Sequence, residues 1–404
     1  MKIVSLETYA VTAKHIDTKA YWGSRAWGEE LSVNPELSTE YPMPKRRSFI
    51  YSKTIDTVIV KITTDDGIVG YGESKAPVAP QATAHIVERL LKPVVMGADP
   101  RDVLQLWEKM YAGMRVRGHR AGFYLEAISG VDIALWDIIG KVSASPISRL
   151  LGGAARERVR VYASGVATIS RDAPQEALDE LVSEVQSLRE QGYTGVKIAL
   201  GRGVEGDMRC VRAISLAMGG NFQLYADAAG SYDRAQALKL GRMLQELDVV
   251  FFEMPIPPED VEGYGMLAKA LDIPIALDSI ASRYETVELI RNQGIDIVQP
   301  DVCRAGGITE CRRIAELADA FGLGFQPHIS IGSAIHVAAS AHLAIAMPNT
   351  VVSEYWIGNN PIGNAVIEEP IVVKDSYMVS PTGHGLGITI KEDVLFREAE
   401  KIVV

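Results

Sequence analysis

The sequence predicts an α/β fold: a TIM-like barrel of the (β/α)7β kind, with an N-terminal α+β capping domain. Three observations carry this expectation. From about residue 158, short apolar runs alternate with longer segments of helical period. Seven of those runs end on or near an ionisable residue, at nearly constant spacing. The region before residue 130 follows a different pattern, with a hairpin first and helices after it.

The apolar runs are "RVRVYAS" (158–164), "GVKIAL" (195–200), "FQLYAD" (222–227), "DVVFFE" (248–253), "IPIALD" (273–278), "IDIVQPD" (295–301), "GLGFQPH" (322–328) and "TVVSEY" (350–355). Segments such as "APQEALDELVSEVQSLREQG" and "ITECRRIAELADAFG" lie between them. Their apolar residues recur every three or four positions, and Gly often follows. Strand and helix in regular alternation imply a parallel sheet. Eight such strands with seven intervening helices close most simply as a barrel.

Before the barrel, "TVIVKITTDDGIVGYGES" reads as two strands joined by an Asp-Asp-Gly turn. "TAHIVERLLKPVVMG" and "PRDVLQLWEKMY" follow with helical period. The tail "GLGITIKEDVLFREAEK" is again a short strand with a polar segment, and we expect it to return to the first domain. The expected division is therefore a capping domain over 1–130, a catalytic barrel over 131–370 and a returning C-terminal segment over 371–404.

Composition narrows the class. The 404 residues are 47% hydrophobic and 23% charged, as in a soluble globular protein. No apolar run reaches the roughly 18 residues that would suggest a membrane span. The N-terminus lacks a signal peptide's apolar region and cleavage site. Cys210, Cys303 and Cys311 form neither a disulfide framework nor a zinc knuckle. A reducing cytoplasm is the expected compartment. The net charge of -10 argues against a nucleic-acid partner.

Lys197, Asp227, Glu253, Asp278, Asp301, His328 and Glu354 end strands two to eight, at steps of 30, 26, 25, 23, 27 and 26 residues. The C-terminal strand ends of a barrel open onto one face, so these side chains converge on one mouth. Any one of them alone reads better as a helix cap or a satisfied core residue. Five carboxylates together repel unless a cation neutralises them. Asp227, Glu253 and Asp278, on three adjacent strands, offer hard oxygen ligands suited to Mg2+. Asp301 beside His328 is a pair in which the carboxylate orients an imidazole general base. His336 and His342 fall on the next helix among small apolar neighbours and read as packing. A metal with an adjacent base suits removal of a proton next to a carboxylate, through an enediolate.

The chain resembles the mandelate racemase subgroup of the enolase superfamily over essentially its whole length. The motifs that carry the resemblance are "SGVDIALWDIIGK" (129–141), "PISRLLGG" (146–153), "YADAAG", "FFEMPIPPED", "IVQPDVCRAGGIT", "QPHISIGSA" and "PTGHGLGI". The resemblance implies a capping domain, a (β/α)7β barrel, Mg2+, a His–Asp dyad and acid-sugar or other hydroxy-acid substrates. It also implies a homo-oligomer, from dimer to octamer. By the same resemblance the first lysine of the strand-two motif, Lys197, lies against the substrate carboxylate and the metal. Glu354, on strand eight, is expected to serve as a hydrogen-bond donor or electrostatic partner for the substrate carboxylate. Asp301 stands where other branches carry a lysine.

Four positions depart from that pattern. The usual Lys-x-Lys reads Lys197-Ile198-Ala199, Asp-x-Asn ends in Ala229, Glu-Glu-Pro carries Met254, and Asp278 replaces a longer Glu. With Ala199, one face of an enediolate lacks its usual base, and His328 remains on the other. A single histidine can take the α-proton and return it to a departing β-hydroxyl. Dehydration of an acid sugar to a 2-keto-3-deoxy acid is the leading expectation. The alternatives are a cycloisomerase or racemase, and a metal-binding barrel without turnover.

Specificity is expected from the capping loops. "AYWGSRAWGEE" supplies Trp22 and Arg25, and "MRVRGHRAGFY" supplies Arg117 and His119, as contacts for a polyhydroxy carboxylate.

Overall fold

The computed structural model describes residues 1–14, 54–397 and 399–403. The N-terminal sheet begins with β1 (Ile3–Lys14), β2 (Thr54–Thr64) and β3 (Val69–Ser74), paired antiparallel in sequence order. The turn between β2 and β3 is the expected Asp65-Asp66-Gly67, where Gly67 adopts φ +79° and its N–H donates to Thr64 O.

Helix Phe123–Val142 lies directly against β3, and the sequence shows why it can. A Cβ on Gly72 would sit 1.8 Å from Gly130 O, and one on Gly70 would sit 2.3 Å from Ala134 O. The glycines of "VGYGES" and of "SGVD" therefore let two backbones meet. The same helix joins three parts of the molecule. Its Asp137 accepts from Tyr71 N at 3.0 Å and from Leu386 N of the C-terminal tail at 2.9 Å. Its Asp132 accepts from Thr309 N at 2.9 Å and Thr309 Oγ1 at 2.6 Å, on a barrel helix. The "DIALWD" motif is thus structural glue.

The barrel follows as eight parallel strands: β4 (Val159–Ala167), β5 (Gly195–Ala199), β6 (Gln223–Asp227), β7 (Phe252–Glu253), β8 (Ile275–Leu277), β9 (Ile297–Val298), β10 (Gly324–Phe325) and β11 (Ser353–Trp356). Seven helices lie between them, from Gln175–Glu190 to Ala334–Ala346. Each strand pairs with the next from β4 to β10, and β11 pairs with β4. The ring closes where Phe325 N donates to Asn349 O and Val351 N donates to Phe325 O. The regular parts of β7 to β10 are shorter than the apolar runs, but ladder bonds such as Val250 N to Leu224 O extend them.

Tyr162, Tyr225, Phe251, Ala276, Ile297 and Val352 pack into a cluster inside the ring. The Tyr162 and Tyr225 rings are 4.5 Å apart, and Tyr225 and Phe251 are 5.0 Å apart. This aromatic plug forms the floor beneath the mouth. After the barrel, β12 (Val373–Lys374) and β13 (Tyr377–Met378) form a hairpin that pairs with the start of β4. Strand β14 (Ala399–Ile402) then pairs antiparallel with β1, closing the chain back onto the N-terminal sheet.

Candidate active site

The seven strand-end residues gather at the mouth around two centres. The first is Lys197 on β5. Its Nζ lies 3.3 Å from Asp227 Oδ2, 3.1 Å from Glu253 Oε2 and 3.0 Å from Glu354 Oε1, with the Tyr162 ring centroid 5.8 Å away. Gln299 Nε2 donates to Glu253 Oε2 at 3.0 Å. Glu354 also accepts from Ser164 Oγ at 2.5 Å and from Ile329 N at 2.9 Å. All four ionisable side chains of this centre are buried.

Burial pushes Asp227 and Glu253 above the usual carboxylate range. For Asp227 the ammonium of Lys197 pulls the other way, while Asp278 adds to the rise. For Glu253 the charge of Asp227 adds to burial. Burial also opposes ionisation of Glu354, but Lys197, His328 and the Ser164 hydroxyl hold it below the ordinary range.

The second centre is His328. Its Nδ1 lies 2.9 Å from Asp301 Oδ2, and its Nε2 faces Asp278 Oδ2 at 3.6 Å and Glu354 Oε2 at 3.9 Å. Asp301 is fixed by two further donors, Cys303 N at 2.8 Å and Lys75 Nζ at 3.2 Å, and His336 Nε2, hydrogen-bonded to His328 O at 3.3 Å, lies 3.1 Å from its Oδ1. Burial would raise the Asp301 carboxyl. His336, Lys75 and the hydrogen bond from His328 outweigh burial and hold it well below its usual range.

Local backbone geometry aims two of the carboxylates. Ala229, two residues after Asp227, has φ +44°, and its N–H donates to Asp227 Oδ1 at 2.9 Å. Met254 follows Glu253 with φ +38° and precedes Pro255, which disfavours the right-handed region. Left-handed backbone at a residue bearing a Cβ costs about 1–2 kcal/mol, and such strain concentrates at functional sites.

The donor set fits a hard divalent cation. Asp278 Oδ1 is buried and has no hydrogen-bond partner. Carboxylate and ring atoms of Glu253, Asp278 and His328 lie within 4.8 Å of one another, close enough to hold an ion. Asp227 is outside that group of three, and its Oδ2 contacts the same Lys197 ammonium as Glu253. Burial disfavours the anionic forms of Asp227 and Glu253, which a cation would offset.

Two family profiles match the chain. Residues 33–152 match the mandelate racemase/muconate lactonizing enzyme N-terminal domain, and residues 180–394 match the enolase C-terminal domain-like profile. The chain belongs to the enolase superfamily, in its mandelate racemase subgroup. Among curated members, a D-galactarolactone cycloisomerase of Agrobacterium fabrum is 36% identical, the match covering 84% of this chain and 90% of the relative. An arabinonate dehydratase of Saccharolobus solfataricus is 35% identical, with the same two shares of 84% and 90%. Among solved members, the 3,6-anhydro-D-galactonate cycloisomerase of Zobellia galactanivorans is 28% identical with a TM-score of 0.82, covering 99% of this chain and 100% of that one. An enolase-superfamily member from Agrobacterium tumefaciens is 27% identical with a TM-score of 0.87, covering 99% of each chain.

This mandelate racemase-subgroup site contains residues that the sequence reading missed. His336, read as packing, instead bonds Asp301, while His342 does sit in the core with both ring nitrogens on backbone groups. Lys75, Ser164 and Gln299 carried no signal because their partners are distant in sequence. Glu126, at the start of helix Phe123–Val142, is a further buried carboxyl, 3.8 Å from Arg304. Burial pushes it up to about 7. Arg117 and His119 are exposed beyond helix Val103–Arg115, and the His119 ring centroid lies 6.3 Å from that of Tyr124. Trp22 and Arg25 lie outside the described residues. Among the described residues no helix is long and apolar enough to cross a membrane.

Proposed function

We propose that this enzyme dehydrates an acid sugar to a 2-keto-3-deoxy acid by removing the proton next to the carboxylate. The observation that carries the reading is that, among the described residues, His328 is the imidazole with one ring nitrogen on Asp301 and the other facing the mouth, while β5 ends in Ala199 where the resemblance places a second base. His328 Nε2 takes the α-proton, since Asp301 occupies Nδ1 and leaves Nε2 facing the mouth. The resulting imidazolium donates that proton to the hydroxyl on the β-carbon, the C–O bond breaks and water leaves. The enol that remains becomes the 2-keto acid. Lys197 faces the developing charge on the substrate carboxylate as an ammonium, and Glu354 orients both Lys197 and the loop at Ile329.

Mg2+ held by Asp227, Glu253 and Asp278 would supply the positive charge that makes an α-proton next to a carboxylate acidic enough to remove. Trp22, Arg25, Arg117 and His119 are proposed contacts for the polyhydroxy chain. We also propose a cytoplasmic homo-oligomer divided as 1–130, 131–370 and 371–404, a division supported by the return of β14 to β1.

A cycloisomerase is the second reading, favoured by the likeness to the D-galactarolactone and 3,6-anhydro-D-galactonate cycloisomerases. There the same base works, but a ring oxygen leaves and no water is lost. Incubation with a library of mono- and diacid sugars and their lactones, with Mg2+, tests both. Formation of a 2-keto-3-deoxy acid supports the first reading. Conversion without loss of water supports the second, and no turnover of any member contradicts both.

A further inference from the structure

Lys75 directly follows β3, in the N-terminal sheet, yet its side chain is almost fully buried at the barrel mouth. Two bonds staple it to the loop after β9. Its backbone N–H donates to Cys303 O at 3.0 Å, and its Nζ pairs with Asp301 Oδ2 at 3.2 Å. Oδ2 is the same oxygen that receives His328 Nδ1. The end of β3 makes a second attachment through Glu73. That buried carboxylate accepts from Ser333 N at 3.0 Å and from His336 N at 3.1 Å, and it also accepts from Thr57 Oγ1 at 2.7 Å within its own sheet. Glu73 thereby holds the first turn of the helix that carries His336, the other imidazole on Asp301.

We propose that Lys75 is a positioning residue through which the capping sheet sets the orientation of the Asp301–His328 pair. Asp301 Oδ1 accepts from Cys303 N and lies 3.1 Å from His336 Nε2, while Oδ2 faces both His328 Nδ1 and Lys75 Nζ. With Oδ1 held by Cys303 N, the remaining freedom is rotation of Oδ2 relative to His328. Lys75 removes that freedom from the side of the other domain. Neither Lys75 nor Glu73 touches the proposed path of the proton. Their effect is to hold Asp301 where it accepts from Nδ1, which keeps Nε2 as the base. The proposal rests on the reading of His328 as the base.

The test compares Lys75→Met, which keeps the length and removes the charge, with Lys75→Arg, which keeps the charge. Two readouts are taken, turnover of an acid sugar with Mg2+ and the ring-nitrogen signals of 15N-histidine-labelled protein without substrate. Lys75→Met should lose about 10- to 100-fold in kcat with KM changed less than about two-fold, and Lys75→Arg should regain part of the loss. In the wild type His328 should carry its proton on Nδ1, and in Lys75→Met it should populate both tautomers. An unchanged kcat together with an unchanged tautomer overturns the proposal. If the wild type turned over no acid sugar, the functional reading would fail, while the nitrogen signals would still decide for or against Lys75. Should Lys75→Met not fold, Lys75→Gln carries the same comparison.

Discussion

Nδ1 of His328 lies 2.9 Å from Oδ2 of Asp301, and the opposite ring nitrogen faces Asp278 at 3.6 Å. The two contacts divide the ring into a supported side and a working side. His328→Asn should therefore abolish removal of the α-proton, costing about 10²–10⁴-fold or more in rate. Asp301→Asn should reduce kcat mainly by mis-setting the ring, with a smaller change in KM. Steady-state kinetics of the two variants check this, and a His328→Asn variant with wild-type kcat would remove His328 from the mechanism.

Metal dependence is expected at Asp227, Glu253 and Asp278. Exhaustive chelation should abolish turnover, and Mg2+ should restore it. Asp278→Asn should weaken Mg2+ binding, because the unpaired Oδ1 is the atom most in need of a cation, while leaving the fold intact. Calorimetric titration with Mg2+ and circular dichroism of the variant separate the two effects. Tight Mg2+ binding by Asp278→Asn would assign the ion to other ligands.

The strand-end residues were legible because a period-two strand followed by a helix fixes which residue meets the mouth. Asp227, Glu253 and Glu354 needed only that regularity, and the structure brings each within 3.3 Å of Lys197. Lys75 was illegible for the opposite reason. It belongs to a different sheet, and 226 residues separate it from Asp301. His336 misled because its neighbours on the helix are small and apolar, which describes a packed helix equally well when one side chain reaches into a site. The β3 glycines were visible as letters, but their purpose depends on Gly130 and Ala134 crossing above them.

Glu126 supplies a pH prediction. Burial raises its carboxyl from 4.5 to about 7, against the pull of Arg304. A carboxyl with a raised folded pKa favours folding while protonated, so its penalty grows as pH rises through that window and is complete above about 7. Glu126→Gln should therefore be more stable than the wild type above neutral pH, by roughly 1–3 kcal/mol, with the difference shrinking toward acid pH. Denaturant unfolding across pH checks it, and parallel stability curves for the two proteins would contradict it.

In the proposed mechanism one imidazole, His328, performs the proton chemistry, and β5 offers Ala199 rather than a base on the opposite face. The most direct measurement is turnover of an acid-sugar substrate in D2O with Mg2+, following the α-carbon by NMR. The α-proton should be handled stereospecifically, with loss of water and no α-epimer at any stage. An epimer formed at a rate near turnover would reveal a second base and contradict that mechanism.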